Sequence, residues 1–177
     1  MLEEFPPEAR SAAEHTVEHL YGNRRGVGFV ISALNHSQVS YSLIHRTNEY
    51  LTNNPYDNIS IFAVKYNPTA KPPLTGVFSS LDLKSYREPC VAVDPLSWQM
   101  SSISYRSKRF FYPYDPTLLE ITNPDIVRNI AQKAIVICRT QEHAELLREK
   151  FDIVHSGPYV PEFDMETLTD YIWNHNA

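Results

Sequence analysis

The chain has 177 residues, with 16 basic and 21 acidic side chains and a formal net charge of −5. Its length suits one ordinary domain, and 42% hydrophobic with 21% charged residues is a globular composition, not a disordered one. The acidic balance argues against general binding to nucleic acid or anionic membranes, and five glycines leave little room for glycine-rich phosphate loops.

Residues Pro7 to Tyr21 read as a helix, with Ala13, Val17, Leu20 and Tyr21 on one face and Gly22 just past its end. GVGFVISAL, residues 26–34, is apolar without alternation, as expected of a parallel strand buried on both faces. Ser37 can cap a helix running to about Leu51. NNPYDN is a turn cluster, and ISIFAV (59–64) is a second buried strand. From Asn67 to Pro89 the pattern is irregular, and prolines 68, 72 and 73 exclude long helices or central strands there. CVAV (90–93) is a third strand, followed by a helical segment that Asp94 and Pro95 can open. RFFY (109–112) is a fourth strand, PYDPTLL a loop or single turn, and Pro124 to Gln132 a short helix capped by Asn123. AIVIC (134–138) is a fifth strand. The helix after it has Glu142 and Glu145 early and Lys150 late, matching the helix dipole. DIVHS reads as a sixth, shorter strand, and a last helix runs from Met165 to about Trp173 behind Asp164.

This alternation predicts a single Rossmann-like α/β domain. It has a mostly parallel sheet of five to six strands flanked by helices over residues 26–173, with the helix in residues 1–22 appended. Cys90 and Cys138 each lie in an apolar run and read as buried free thiols; two cysteines cannot make a Cys-only zinc site. MLEEFPPEAR has the character of neither a signal nor a transit peptide, and the apolar runs are too short to span a bilayer. A soluble protein made in the cytoplasm is expected, without membrane or nucleic-acid partners.

In open α/β sheets ligands bind beyond the carboxyl ends of the strands. There the sequence places Asn35, His36 and Ser37, then Tyr66 and Asn67, Asp94, Tyr114 and Asp115, and finally Arg139 and Thr140. His36 is a candidate general base, with Asp94 or Asp115 orienting it or acting alone. Arg139, beside the helix start at Thr140, is a candidate phosphate or carboxylate ligand. The same positions have plain structural roles, with Ser37, Asp94 and Thr140 as helix caps. Among the clustered aromatics Tyr105, Phe110, Phe111, Tyr112 and Tyr114, the stretch Tyr112–Pro113–Tyr114 is expected to be the exposed part, fit to stack on a sugar or anchor an interface.

No G-x-G-x-x-G follows the first strand, because Gly26 and Gly28 open it instead. No P-loop and no G-x-S-x-G elbow occur. His15, Glu18 and His19 fit the H-x-x-E-H zinc pattern, but both histidines lie opposite the apolar stripe of their helix. They read as a solvated face, and no metal site is assigned.

AIVICRTQEHAELLREKF followed by DIVHSGPYVPEFDMETL resembles the end of the N-terminal half of GT-B-fold glycosyltransferases, and GVGFVISALNHSQVSYSLIHRTNEYL is similar to the first strand and helix of that half. KRFFYPYDPTLLE looks like a segment of small glycosyltransferase-like proteins of tailed bacteriophages. The departures are the ALNHS turn in place of a glycine-rich one, no D-x-D motif, and no second half to hold a nucleotide-sugar donor. The resemblance therefore implies a non-catalytic binding or assembly module without a cofactor, phage-encoded and built into a virion, with protein partners or self-association. Its contact surfaces would be residues 1–22, residues 67–89 and the aromatics. The alternatives are an active glycosyltransferase completed by a partner chain, using a nucleotide-sugar donor or binding a glycan, and another small-molecule enzyme on the same scaffold. In the active form His36 is the base, and Arg139 with Thr140 faces phosphate.

Overall fold

The computed structural model describes residues 26–104 and 107–176. The helix expected in residues 1–22, with His15 and His19, and the residues Tyr105 and Arg106 lie outside the described residues.

Six parallel strands form one sheet: β1 (Gly26–Leu34), β2 (Asn58–Tyr66), β3 (Gly76–Ser79), β4 (Cys90–Ala92), β5 (Arg109–Phe111) and β6 (Ile135–Val136). Their spatial order is β3-β2-β1-β4-β5-β6. This is the Rossmann strand order, with its topological switch point between β1 and β4. The helices are α1 (Gln38–Asn53), α2 (Pro95–Ser101), α3 (Pro124–Lys133), α4 (Gln141–Phe151) and α5 (Met165–Asn176), and 3₁₀ turns run Ser80–Lys84, Pro116–Ile121 and Pro161–Phe163.

Both faces of the sheet are covered, which explains the unbroken apolar runs of its central strands. On one face Phe29, Ile61, Val91 and Phe110 pack with Leu43 and Ile44 of α1 and with Leu168 and Ile172 of α5. On the other, Ala92, Phe111 and Val136 pack with Trp98 of α2, Ile130 of α3 and Leu147 of α4. Leu83 of the first 3₁₀ turn extends this second layer over Val30, Phe62 and Cys90. The last helix is tied back to the start of the sheet. Trp173 Nε1 donates to the Gly26 carbonyl at 3.5 Å, and Lys108 Nζ donates to the His175 carbonyl.

Two expectations change. The sixth strand is Gly76–Ser79, an edge strand inside the irregular stretch, where the prolines stop before it begins. DIVHS contributes only a bridge from His155 to Val136; Ile153 is buried, but Val154 is 66% exposed and no ladder forms. Gly28 also finds its reason here, in packing. A Cβ there would lie 2.6 Å from the Tyr86 ring and 3.0 Å from that of Phe62.

Cys90 and Cys138 are free and buried, and burial pushes both thiols from about 9 up to about 12. Burial, and then the hydrogen bond to Asp57, raises Tyr50 to about 12; burial raises Tyr86 and Tyr112 further. These groups stay protonated in the native state while the unfolded chain ionises at ordinary values. Their stabilisation is therefore complete below about pH 8.5 and is lost as pH rises toward the folded values. We predict a melting temperature that falls steadily above about pH 9, and no reaction of either thiol with Ellman's reagent until the chain unfolds. Stoichiometric labelling of the native protein at neutral pH would contradict this.

Candidate functional site at the carboxyl ends of the strands

The turn after β1 is organised by its own side chains. Asn35 Oδ1 accepts from Ser37 N at 2.9 Å, and Ser37 Oγ accepts from Ser40 N as the cap of α1. His36 projects from this turn, exposed, and has no hydrogen bond or ion pair with Asp94 or Asp115. The candidate base is therefore not hydrogen-bonded to either candidate acid, whose carboxylates serve as caps.

Asp94, nearly buried, sits at the switch point. Its Oδ1 accepts from Ser97 N at 2.8 Å in a capping box at the start of α2, and its Oδ2 accepts from Ser32 N of β1 at 2.9 Å. The carboxylate thus takes the place of the next rung between β1 and β4, at the topological switch point. Asp115 caps the 3₁₀ turn through Thr117 N at 3.0 Å, and Thr140 caps α4 through His143 N at 3.3 Å. The structural role of these residues is thus realised at each position.

Arg139 is the centre of the remaining cluster. Its guanidinium lies 4.2 Å over the Tyr114 ring, donates to the Tyr114 carbonyl at 3.0 Å and forms an ion pair with Glu162. Glu162 also accepts from Tyr114 Oη at 2.9 Å and from Ser42 Oγ at 3.2 Å. The Glu162 carboxylate is therefore clasped by the segments that follow β5 and β6 together with α1. Beneath it the Phe163 ring stacks on Tyr114 at 5.3 Å, tilts against Tyr112 at 4.7 Å and meets the edge of Phe29 at 6.2 Å. Tyr112 Oη donates to the Val160 carbonyl at 2.7 Å and accepts from Phe163 N at 3.2 Å.

Tyr112 and Tyr114 are consequently not the exposed part of the aromatic cluster. They are 0% and 8% exposed, because the segment 160–163 folds down over them. That segment turns sharply: Glu162 and Phe163 have φ of 46° and 55°, a left-handed backbone that side chains rarely adopt.

Glu162 and His143 complete the site without having been singled out by the sequence. His143 Nδ1 and Arg139 Nε are both buried without a partner among the described residues. Burial, and then the Arg139 charge, pulls the His143 pKa below its ordinary value against the opposing pull of Asp115 and Glu142. Beside the clasp, a groove of about 670 Å³ runs between α1 and the start of α5. It carries Glu49, Glu162, Asp164 and Glu166 against one arginine, Arg46, which is itself paired with Glu49 at 3.0 Å. Among the described residues no cluster of three His, Cys, Asp or Glu side chains could hold a metal ion, and no helix is long and apolar enough to cross a membrane.

The fold and this crest of strand-end side chains define a Rossmann-like α/β protein in which Asp94, Asp115, Arg139 and Thr140 are each bonded to the protein's own groups. Comparison with protein-family models, with curated proteins and with solved structures gives no match.

Proposed function

We propose that the chain is a non-catalytic, glycosyltransferase-like α/β domain that acts as a binding or assembly module, encoded by a tailed phage and carried in its particle. The observation that carries the non-catalytic part is the clasp. The position where Arg139 would meet a phosphate is taken by Glu162, and the switch point is taken by Asp94. The open groove next to it is lined with carboxylates, which repel a nucleotide diphosphate. The binding part is supported by the outer end of the sheet. There Phe78 of β3 and Val64 and Tyr66 of β2 lie on one face of the sheet, exposed by 44%, 36% and 59%. The phage assignment and the virion role rest on the resemblance in sequence.

The test is a thermal-shift panel of UDP-, GDP- and ADP-sugars and the free nucleotides, with and without Mg²⁺. We expect no shift. A ligand at 100 times its dissociation constant would add about 2.7 kcal/mol, or roughly 5–10 °C for a domain of this size. A rise of that size with one nucleotide class would overturn the non-catalytic reading and establish the transferase alternative, in which His36→Ala should abolish transfer.

A further inference from the structure

Arg109 opens β5 on the face covered by α2 and α3, at the end of the strand away from the crest. Its guanidinium carbon lies 4.3 Å over the ring of Trp98, which is itself 1% exposed. Trp98 is fixed in turn: its Nε1 donates to Asn129 Oδ1 at 3.1 Å, and its ring meets Phe111 edge-on at 6.0 Å. The arginine thus lies on a rigid aromatic floor. Among the described residues its N–H groups donate to no acceptor and pair with no carboxylate, although the side chain is largely withdrawn from solvent. Burial lowers the Arg109 pKa from its ordinary value, so an anionic partner would stabilise the charge.

A cleft of about 240 Å³ opens beside this pair, between α2 and α3. Its polar lining is rich in donors. The Oδ1 of Asn129 is used by Trp98, which leaves the amide nitrogen to donate, and Gln99 adds a second amide. The Ser102 hydroxyl is committed to the Gln99 carbonyl at 2.7 Å. Among the described residues Asp125 is the one carboxylate on the lining, and it is exposed and paired with Arg128 at 2.9 Å. With that pair neutral, Arg109 is left as the unbalanced charge of the described lining.

We propose that this cleft binds a carboxylate, gripped bidentately by Arg109 above the Trp98 ring and steadied by the amide of Asn129. A flat guanidinium with free parallel N–H groups matches the two oxygens of a carboxylate, and stacking on an aromatic ring pre-orients it. The volume admits a group of a few heavy atoms, so the ligand is a small organic acid or the carboxylate at the end of a polypeptide. This binding site is independent of the crest and of the reading given for it.

The experiment follows the Trp98 indole N–H resonance of the full chain during titration with sodium acetate, with acetamide and sodium chloride as controls. A short peptide with a free carboxyl terminus and its amidated form make a second pair. We expect a saturable shift with acetate and with the free-carboxyl peptide only, weakened about tenfold in Arg109→Lys, which keeps the charge but loses the fork. Tighter binding of the peptide than of acetate assigns the site to a chain terminus, and equal binding assigns it to small acids. Asn129→Leu, which leaves Arg109 in place, should also weaken binding. No saturable shift, an equal shift with chloride, or unchanged binding in the folded Arg109→Lys protein would overturn the proposal.

Discussion

Replacing Phe163 by alanine is expected to lower the unfolding free energy by about 3–5 kcal/mol, the largest effect of any single substitution considered for this fold. The ring is fully buried and touches Tyr112, Tyr114 and Phe29 at once, so its loss leaves a cavity between two strands and the segment that covers them. It also removes what holds residues 162 and 163 in a left-handed backbone, which costs on the order of 1 kcal/mol for each L-residue. At about 2–4 °C per kcal/mol for a chain of this length, the melting temperature should drop by roughly 6–20 °C. Phe163→Leu should lose much less. A drop of under about 2 °C for the alanine variant would mean that the clasp around Glu162 seats this segment without the ring.

The second large effect is expected at Asp94. Asp94→Ala removes the cap of α2, at about 0.5–2 kcal/mol, and strands the Ser32 N–H of β1, at about 1–3 kcal/mol. Together these predict a loss of about 1.5–5 kcal/mol by denaturant unfolding. Asp94→Asn keeps one carbonyl oxygen for the cap and should recover part of it. An Asp94→Ala protein as stable as the wild type would return this residue to the list of candidates for chemistry.

The contrast between Asp94 and Glu162 explains what could be read from the chain and what could not. Caps are local. Ser37, Asp94, Asn123 and Thr140 each sit directly before a helix and bond to a backbone N–H two or three residues on, so their placement follows from position alone. The long apolar runs of β1 and β2, and the shorter ones of β4, β5 and β6, were visible for the same reason. Glu162 leaves no such trace. Its partners Ser42 and Tyr114 are 120 and 48 residues away, and nothing near it in sequence marks it. The burial of Tyr112 and Tyr114 was hidden with it, since the segment that covers them is the one carrying Glu162 and Phe163. β3 escaped because GVFS is only four residues long and follows prolines, which is how an edge strand of this kind looks. DIVHS misled because Ile153 is buried and Val154 exposed, an alternation that looks like a strand although only His155 bridges to β6.

The tie between α5 and β1 has a consequence for the order in which the protein can be completed on the ribosome. β1 lies at the centre of the sheet, yet Asp94, just past its neighbour β4, bonds to Ser32 across 62 residues, and the helix that covers its face joins Trp173 to Gly26 across 147 residues. A nascent chain that has emerged as far as Asp152 carries all six strands, α1 and the second layer. The side of the sheet bearing Val91 and Phe110 still waits for Leu168 and Ile172. Until α5 is delivered, α1 alone among the described helices packs on that side, so the part that Leu168 and Ile172 cover is completed only after the strands beneath it have been made.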